Sequence, residues 1–263
     1  MEGRASRAAA LPRESIAFEV SPGPGYADED VRWFGGGDPA EGSGPRFVTA
    51  FDAGGTFEVL ARCGEDSLGF PVAVADVDAW LARAQAFFGP SVDLSRVRVT
   101  TSRLVFGRAG TAWTCNDVIR FKRPSRPEDL PSEATLIHEL GHVWEHQSGQ
   151  AQLLRGLMEQ VGRWFGRDPY DFGGPEGVHR AALLTSFAKE AQAQIVTELW
   201  KSQRGFPTDR LRVPLSTPGY ADDLRRLVQD AGIGVRAPTD RSVWGTIDAG
   251  VAWIVNYVVG HAG

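Results

Sequence analysis

Cysteine is scarce in this 263-residue sequence: Cys63 and Cys115 stand alone, 52 positions apart, and form no C-x-x-C. That spacing excludes a zinc-thiolate cluster and a disulfide framework, leaving two isolated thiols or at most one bridge. Basic runs are absent and the formal net charge is −5, which argues against a nucleic-acid binder. The first residues, Met1 to Glu14, contain no apolar stretch of the kind a cleaved secretory signal needs, so a cytoplasmic chain is expected, with export only by a non-classical route. The longest late apolar run, Val251 to Val259, is interrupted by Asn256. It falls far short of the ~20 residues that span a bilayer, so no membrane span is expected. No internal repeat is apparent.

What is present is concentrated in Thr135 to Gln147, which holds H-E-x-x-H as His138, Glu139 and His142. Residues four apart share a helix face, so both imidazoles can point at one ion. Neutral imidazole is a common zinc ligand. Glu139 is not a ligand in this pattern; it stands beside the ion, where a carboxylate can take a proton from bound water. Leu136, Ile137, Leu140, Val143 and Trp144 fall on the opposite face, giving an amphipathic helix with a core side and a metal side. Ser132 is a candidate N-cap and Gly149 a candidate stop.

Residues 1–45 carry eight glycines and five prolines. Such a stretch is expected to be a flexible N-terminal arm, with Ser15 to Val20 as a candidate strand. Residues 46–263 are expected to form the folded domain. Val72 to Phe88 has a helical period ended by Gly89-Pro90. Strand candidates follow at Arg96–Thr100, Arg103–Gly107, Thr111–Cys115 and Asp117–Lys122. Beyond the motif, helices are expected over Ala151–Phe165, His179–Trp200 and Ala221–Ala231. Trp244–Val259 reads as helix or strand.

A catalytic zinc generally has three protein ligands and one open position. His146 lies eight residues beyond His138, a rise of about 12 Å along a helix, too far for one ion. The glycine and third histidine of the longest H-E-x-x-H pattern are replaced by Glu145 and Ser148, so that subclass is excluded. The best third ligand is Glu190, in a helix that is apolar almost all round, where a carboxylate needs a partner. Pairing of Glu190 with Lys189 or Arg180 is the bland alternative. Asp171, Glu176 and His179 are reserve ligands. Gln194, one turn beyond Glu190, can hydrogen-bond a ligand from behind. Tyr170 and His179 are candidates to stabilise an oxyanion.

His138-Glu-Leu-Gly-His142, followed by Lys189-Glu-Ala-Gln-Ala-Gln-Ile195, resembles the gluzincin-type metallopeptidases. More narrowly, it is similar to the bacterial metallopeptidase-like domains associated with Vgr and Rhs proteins, with Tyr170-Asp-Phe172 and Phe87 to Val99 as further matching stretches. The resemblance covers roughly residues 75–202. It implies a zincin-like α+β fold: a small twisted sheet from residues 96–122 beside the motif helix, a second ligand-bearing helix beneath it, and C-terminal helices. Ala191 and Gln194 depart from the pattern, where the family has Gln and classical gluzincins have Asp.

The expected function is a zinc metallopeptidase acting on a peptide or protein substrate. His138, His142 and Glu190 hold Zn2+, and Glu139 is the general base. An edge strand, Thr111–Cys115 or Asp117–Lys122, would align the substrate backbone. Two rivals are a non-catalytic, zinc-stabilised assembly module partnered with a secretion-apparatus or toxin-system protein, and a zinc amidohydrolase acting on cell-wall peptides. A deformylase is disfavoured, because Cys115 lies in Trp113-Thr-Cys-Asn-Asp117.

Overall fold

The computed structural model describes residues 1–150, 168–208, 211, 214 and 216–234. The expected helix over Ala151–Phe165 and the element within Trp244–Val259 lie outside the described residues. The class is α+β, with three sheets and five α-helices among the described residues. The chain divides into two compact units. One comprises Met1–Trp80, Thr100–Thr111 and Arg120–Ser132; the other comprises Leu81–Val99, Ala112–Ile119 and the described residues from Glu133 onward.

The first unit is built of strands. Antiparallel β1 (Glu2–Ala5), β3 (Ile16–Ser21) and β6 (Arg46–Thr49) form a three-stranded sheet in the order β1-β3-β6. A second sheet has the order β2-β8-β7-β4-β5, from β2 (Ala9–Ala10), β8 (Asp66–Val74), β7 (Gly55–Cys63), β4 (Arg32–Phe34) and β5 (Glu41–Ser43). Alternation decides which side chains are inside: Ile16, Phe18 and Val20 of β3 are buried, as are Val59, Ala61 and Cys63 of β7. Their core holds an aromatic cluster, with Trp33 stacked on Phe47 at 5.6 Å and Phe18 edge-on to Phe70 at 5.5 Å. The Trp33 indole N–H reaches the Gly44 carbonyl at 2.8 Å, so its polar atom is satisfied. The long β7–β8 pair turns through two residues, with Gly64 in the left-handed region at φ +60°.

This arrangement corrects the expectation of a flexible arm over residues 1–45. Five strands run through it, and its alternating apolar residues find partners further along the chain: β2 pairs in parallel with β8, and β3 pairs antiparallel with β6. All five prolines and six of the eight glycines lie between these very short strands rather than marking an unfolded segment.

Helix α1 (Val77–Phe88) begins after Asp76, whose carboxylate accepts from the Ala79 N–H. Val72 to Val74 belong to β8, not to the helix that was expected to include them. A third sheet has the order β10-β11-β9, made by β9 (Arg98–Ser102), β10 (Ala112–Cys115) and β11 (Val118–Lys122). Of the two candidate edge strands, β10 is at the edge and β11 is central. The β10–β11 turn passes through Asn116 at φ +54°, a conformation asparagine tolerates. Arg103–Gly107 is not a strand. Phe106 there is largely exposed, and the segment is instead tied down where the Lys122 ammonium donates to the Gly107 carbonyl.

The motif helix α2 spans Glu133–Gln147, with Leu136, Ile137, Leu140, Val143 and Trp144 buried. The helix expected over His179–Trp200 is divided into α3 (Gly174–Arg180) and α4 (Lys189–Gln203). Between them the Ser186 hydroxyl donates to the Leu183 carbonyl at 2.6 Å, a local bond that competes with helix continuation. Helix α5 (Tyr220–Asp230) follows, burying Leu224, Leu227 and Val228. No helix among the described residues is long and apolar enough to cross a membrane. Cys63 and Cys115 are buried free thiols.

Candidate metal centre

Helices α2 and α4 pack tightly because both present small residues at the contact. A Cβ placed on Gly141 would sit 3.1 Å from both Cα and Cβ of Ala193. Ala193 lies three residues after Glu190, on the same side of α4. The close approach therefore carries Glu190 against the histidine face of α2.

His138 Nε2 lies 3.2 Å from Glu190 Oε2, and His142 Nε2 lies 3.6 Å from the same oxygen. The two imidazole rings are nearly perpendicular, with centroids 5.1 Å apart. Among the described residues, His138, His142 and Glu190 form the one group of three candidate donors, all within 4.8 Å of one another. Donors bound tetrahedrally at the usual zinc distances would lie roughly 3.3–3.6 Å apart. The separations from Glu190 match that spacing, so this group could bind a metal ion.

The atoms behind the donors are equally specific. His142 Nδ1 is 3.1 Å from Oε2 of Glu145, which is fully buried. That contact turns His142 Nε2 toward Glu190 and is the kind of support that orients a metal-bound imidazole. Lys189 Nζ, itself buried, lies 3.5 Å from the same Glu145 oxygen. The alternative pairing of Glu190 with Lys189 or Arg180 is not what forms: Lys189 meets Glu145, and Arg180 meets Glu176.

Charge follows this geometry. Burial opposes protonation of His142, but Glu145 and then Glu190 outweigh it and hold its pKa well above the ordinary histidine value. Burial likewise opposes ionisation of Glu190. Hydrogen bonds from His138 and His142 overcome it and keep the carboxyl far below the usual carboxylate range. Glu190 is therefore an anion in the folded chain, as a ligand must be.

Glu139 is buried, and its Oε2 accepts from the Thr114 hydroxyl of β10 at 2.6 Å. The ring of Tyr170 lies 5.9 Å from that of His138, centroid to centroid. Two other expectations are corrected. Gln194 donates its amide to Glu198 at 2.6 Å rather than to a ligand, because the buried Glu198 carboxylate one turn on is the nearer charged acceptor. His179 is an exposed residue whose Nδ1 lies 2.9 Å from Asp223. Asp171 accepts from the Gly173 N–H, and Glu176 faces solvent beside Arg180. Thr114, Glu145 and Gly141 escaped the sequence reading. Only Glu145 carried a local signal, being one helical turn beyond His142.

No family model matches the chain. Part of it is similar to the type VI secretion system spike protein VgrG2b of Pseudomonas aeruginosa, at 28% identity over 133 residues. The match covers 48% of this chain and 13% of the spike protein.

Proposed function

We propose that this protein is a zinc-dependent metallopeptidase with a zincin-like arrangement of motif helix, ligand helix and edge strand. The observation that carries the reading is the convergence of His138 Nε2, His142 Nε2 and Glu190 Oε2, with Glu139 adjacent in the motif. Zinc held there would supply a Lewis acid and a water acidified toward neutral pH. Thr114 holds Oε2 of Glu139, leaving Oε1 to accept a proton from the attacking water. The same carboxyl then returns that proton to the departing amine nitrogen as the C–N bond breaks. Tyr170, whose ring lies beside that of His138, would donate its phenol to the carbonyl oxygen as it gains charge. As the outer strand of its sheet among the described residues, β10 would offer backbone groups to an extended peptide.

The test compares zinc content and peptide-library cleavage for wild type, Glu139→Ala and Glu190→Ala. The expected result is about one zinc per chain in the first two, loss of zinc in the third, and cleavage by wild type alone. Cleavage by zinc-bound Glu139→Ala at the wild-type rate would overturn the mechanism.

One observation favours a second reading. The three donors come from two helices, so an ion there would cross-link α2 and α4 in a non-catalytic assembly module. Zinc-dependent stability with no cleavage by wild type would favour it. The likeness to a spike protein supports placing either activity alongside a secretion apparatus. Delivery of a tagged chain that persists in cells lacking the type VI apparatus would remove that placement.

A further inference from the structure

The strand-built unit contains a cavity of about 690 Å³ that the peptidase reading does not use. Its wall carries five cations, Arg7, Arg46, Arg103, Lys122 and Arg123, and one acid, Glu14. This is a concentrated positive charge in a chain of net −5.

Glu14 is already engaged. It accepts from the Arg7 guanidinium at 2.8 Å, from the Leu11 N–H at 3.1 Å and from the Thr101 hydroxyl. Arg7 is nearly buried and also donates to the Ser15 carbonyl. The Arg7–Glu14 pair is thus an internally compensated part of the wall. The other four cations have no acid of the cavity to neutralise them. Lys122 meets only the neutral Gly107 carbonyl. Arg46 lies opposite Glu19 in the β3–β6 register, but Glu19 is held by Arg4 at 2.7 Å. Arg103 and Arg123 have no carboxylate partner among the described residues.

Guanidinium groups crowded without acids are stable when water or an anion lies between them. Their planar forks match the oxygens of phosphate and carboxylate. Three cations without a carboxylate partner, with Arg46 sharing Glu19 with Arg4, favour a ligand with at least two negative charges on a compact group, which a phosphate ester or diphosphate supplies and a single carboxylate does not. Ala17, Val48 and Pro124 add apolar surface to the same wall, and Val48 is exposed. The volume falls within the ~300–1,000 Å³ of small-molecule sites. We propose that this cavity binds a phosphate-bearing small molecule of nucleotide size, held by Arg46, Arg103, Lys122 and Arg123. The proposal is independent of the peptidase reading.

The test is calorimetric titration of the full zinc-loaded chain at 20 and 150 mM salt with inorganic pyrophosphate, ADP and adenosine. Glu190→Ala is run beside wild type to exclude phosphate binding through the metal centre. ADP should bind with a Kd below about 1 mM at the higher salt, adenosine should not bind, and Glu190→Ala should behave as wild type. Pyrophosphate matching ADP would identify the phosphates alone as the ligand; tighter ADP would add the apolar wall. Replacing both Arg103 and Arg123 by Ala should weaken ADP by about 100-fold, since each charge-assisted hydrogen bond contributes about tenfold or more. Arg13→Ala, an exposed arginine paired with Asp52 outside the cavity, should leave it unchanged. Unliganded melting temperatures of the variants serve as the folding check. Two results would each overturn the proposal: no binding of either phosphate probe, or equal weakening by Arg13→Ala.

Discussion

The two units bury different chemistry. In the strand-built unit the core is apolar and aromatic, and the buried polar side chains among its described residues are Thr49 and Thr101. In the other unit, Glu139, Glu145, Lys189, Glu198 and Lys201 are buried, together with Gln192, Gln194 and Thr197. A core of the first kind stabilises by area and packing. One of the second kind carries desolvated charges that cost free energy unless each is paired. It is retained here around helix α4, which presents Glu190 to the histidines. The contrast teaches where acid–base and metal chemistry is to be sought: in the unit that tolerates ionised groups inside.

The largest effect expected is on chemistry. Glu139→Ala should reduce peptide hydrolysis by about 10²–10⁴-fold while zinc content and melting temperature hold or rise, since a buried carboxylate is removed. A melting temperature that fell steeply would instead make Glu139 part of the scaffold and blur the contrast. Next is Phe18→Ala, which should cost about 3–5 kcal/mol in urea unfolding of the aromatic core. A loss under 1 kcal/mol would show that this core does not stabilise as its packing implies.

Glu145→Gln comes third. Losing the carboxylate behind His142 should weaken zinc binding by about 10–100-fold in a chelator competition. The pH dependence gives the sign. Because Glu145 and Glu190 raise the His142 pKa above the ordinary histidine value, zinc must displace a proton from it and affinity should climb with pH above about 6.5. Glu145→Gln removes the main group raising that pKa while Glu190 remains, so its affinity should level off at a lower pH than in wild type. An unchanged slope would mean Glu145 does not govern the imidazole. The smallest effect is Gly141→Ala. Helix propensity gains about 1 kcal/mol while the new methyl presses on Ala193, so stability should move little and zinc affinity should fall a few-fold. Unaltered affinity would show that helix spacing does not control the site.

The candidate metal donors were legible because their signals are local. H-E-x-x-H is a spacing on one helix, and Glu190 stands out as a carboxylate in an apolar surround. Thr114 was not legible, because its meeting with Glu139 depends on how β10 packs beside α2, a contact 25 residues apart in sequence. The strand-built unit was least legible. Its N-terminal strands are two to six residues long and pair with distant segments, so alternation is too brief to outweigh the glycines and prolines between them. The break between α3 and α4 was missed for a related reason: it contains no Pro or Gly to announce it.

The Gly141–Ala193 contact constrains how this protein can change over time. Position 141 is a free letter of H-E-x-x-H as chemistry, yet its side chain shares one small space with position 193 on the other helix. Volume at these two positions should therefore behave as a single inherited quantity. A lineage that enlarges residue 141 would have to shrink residue 193 to glycine, or pass through forms whose third ligand no longer reaches the other two.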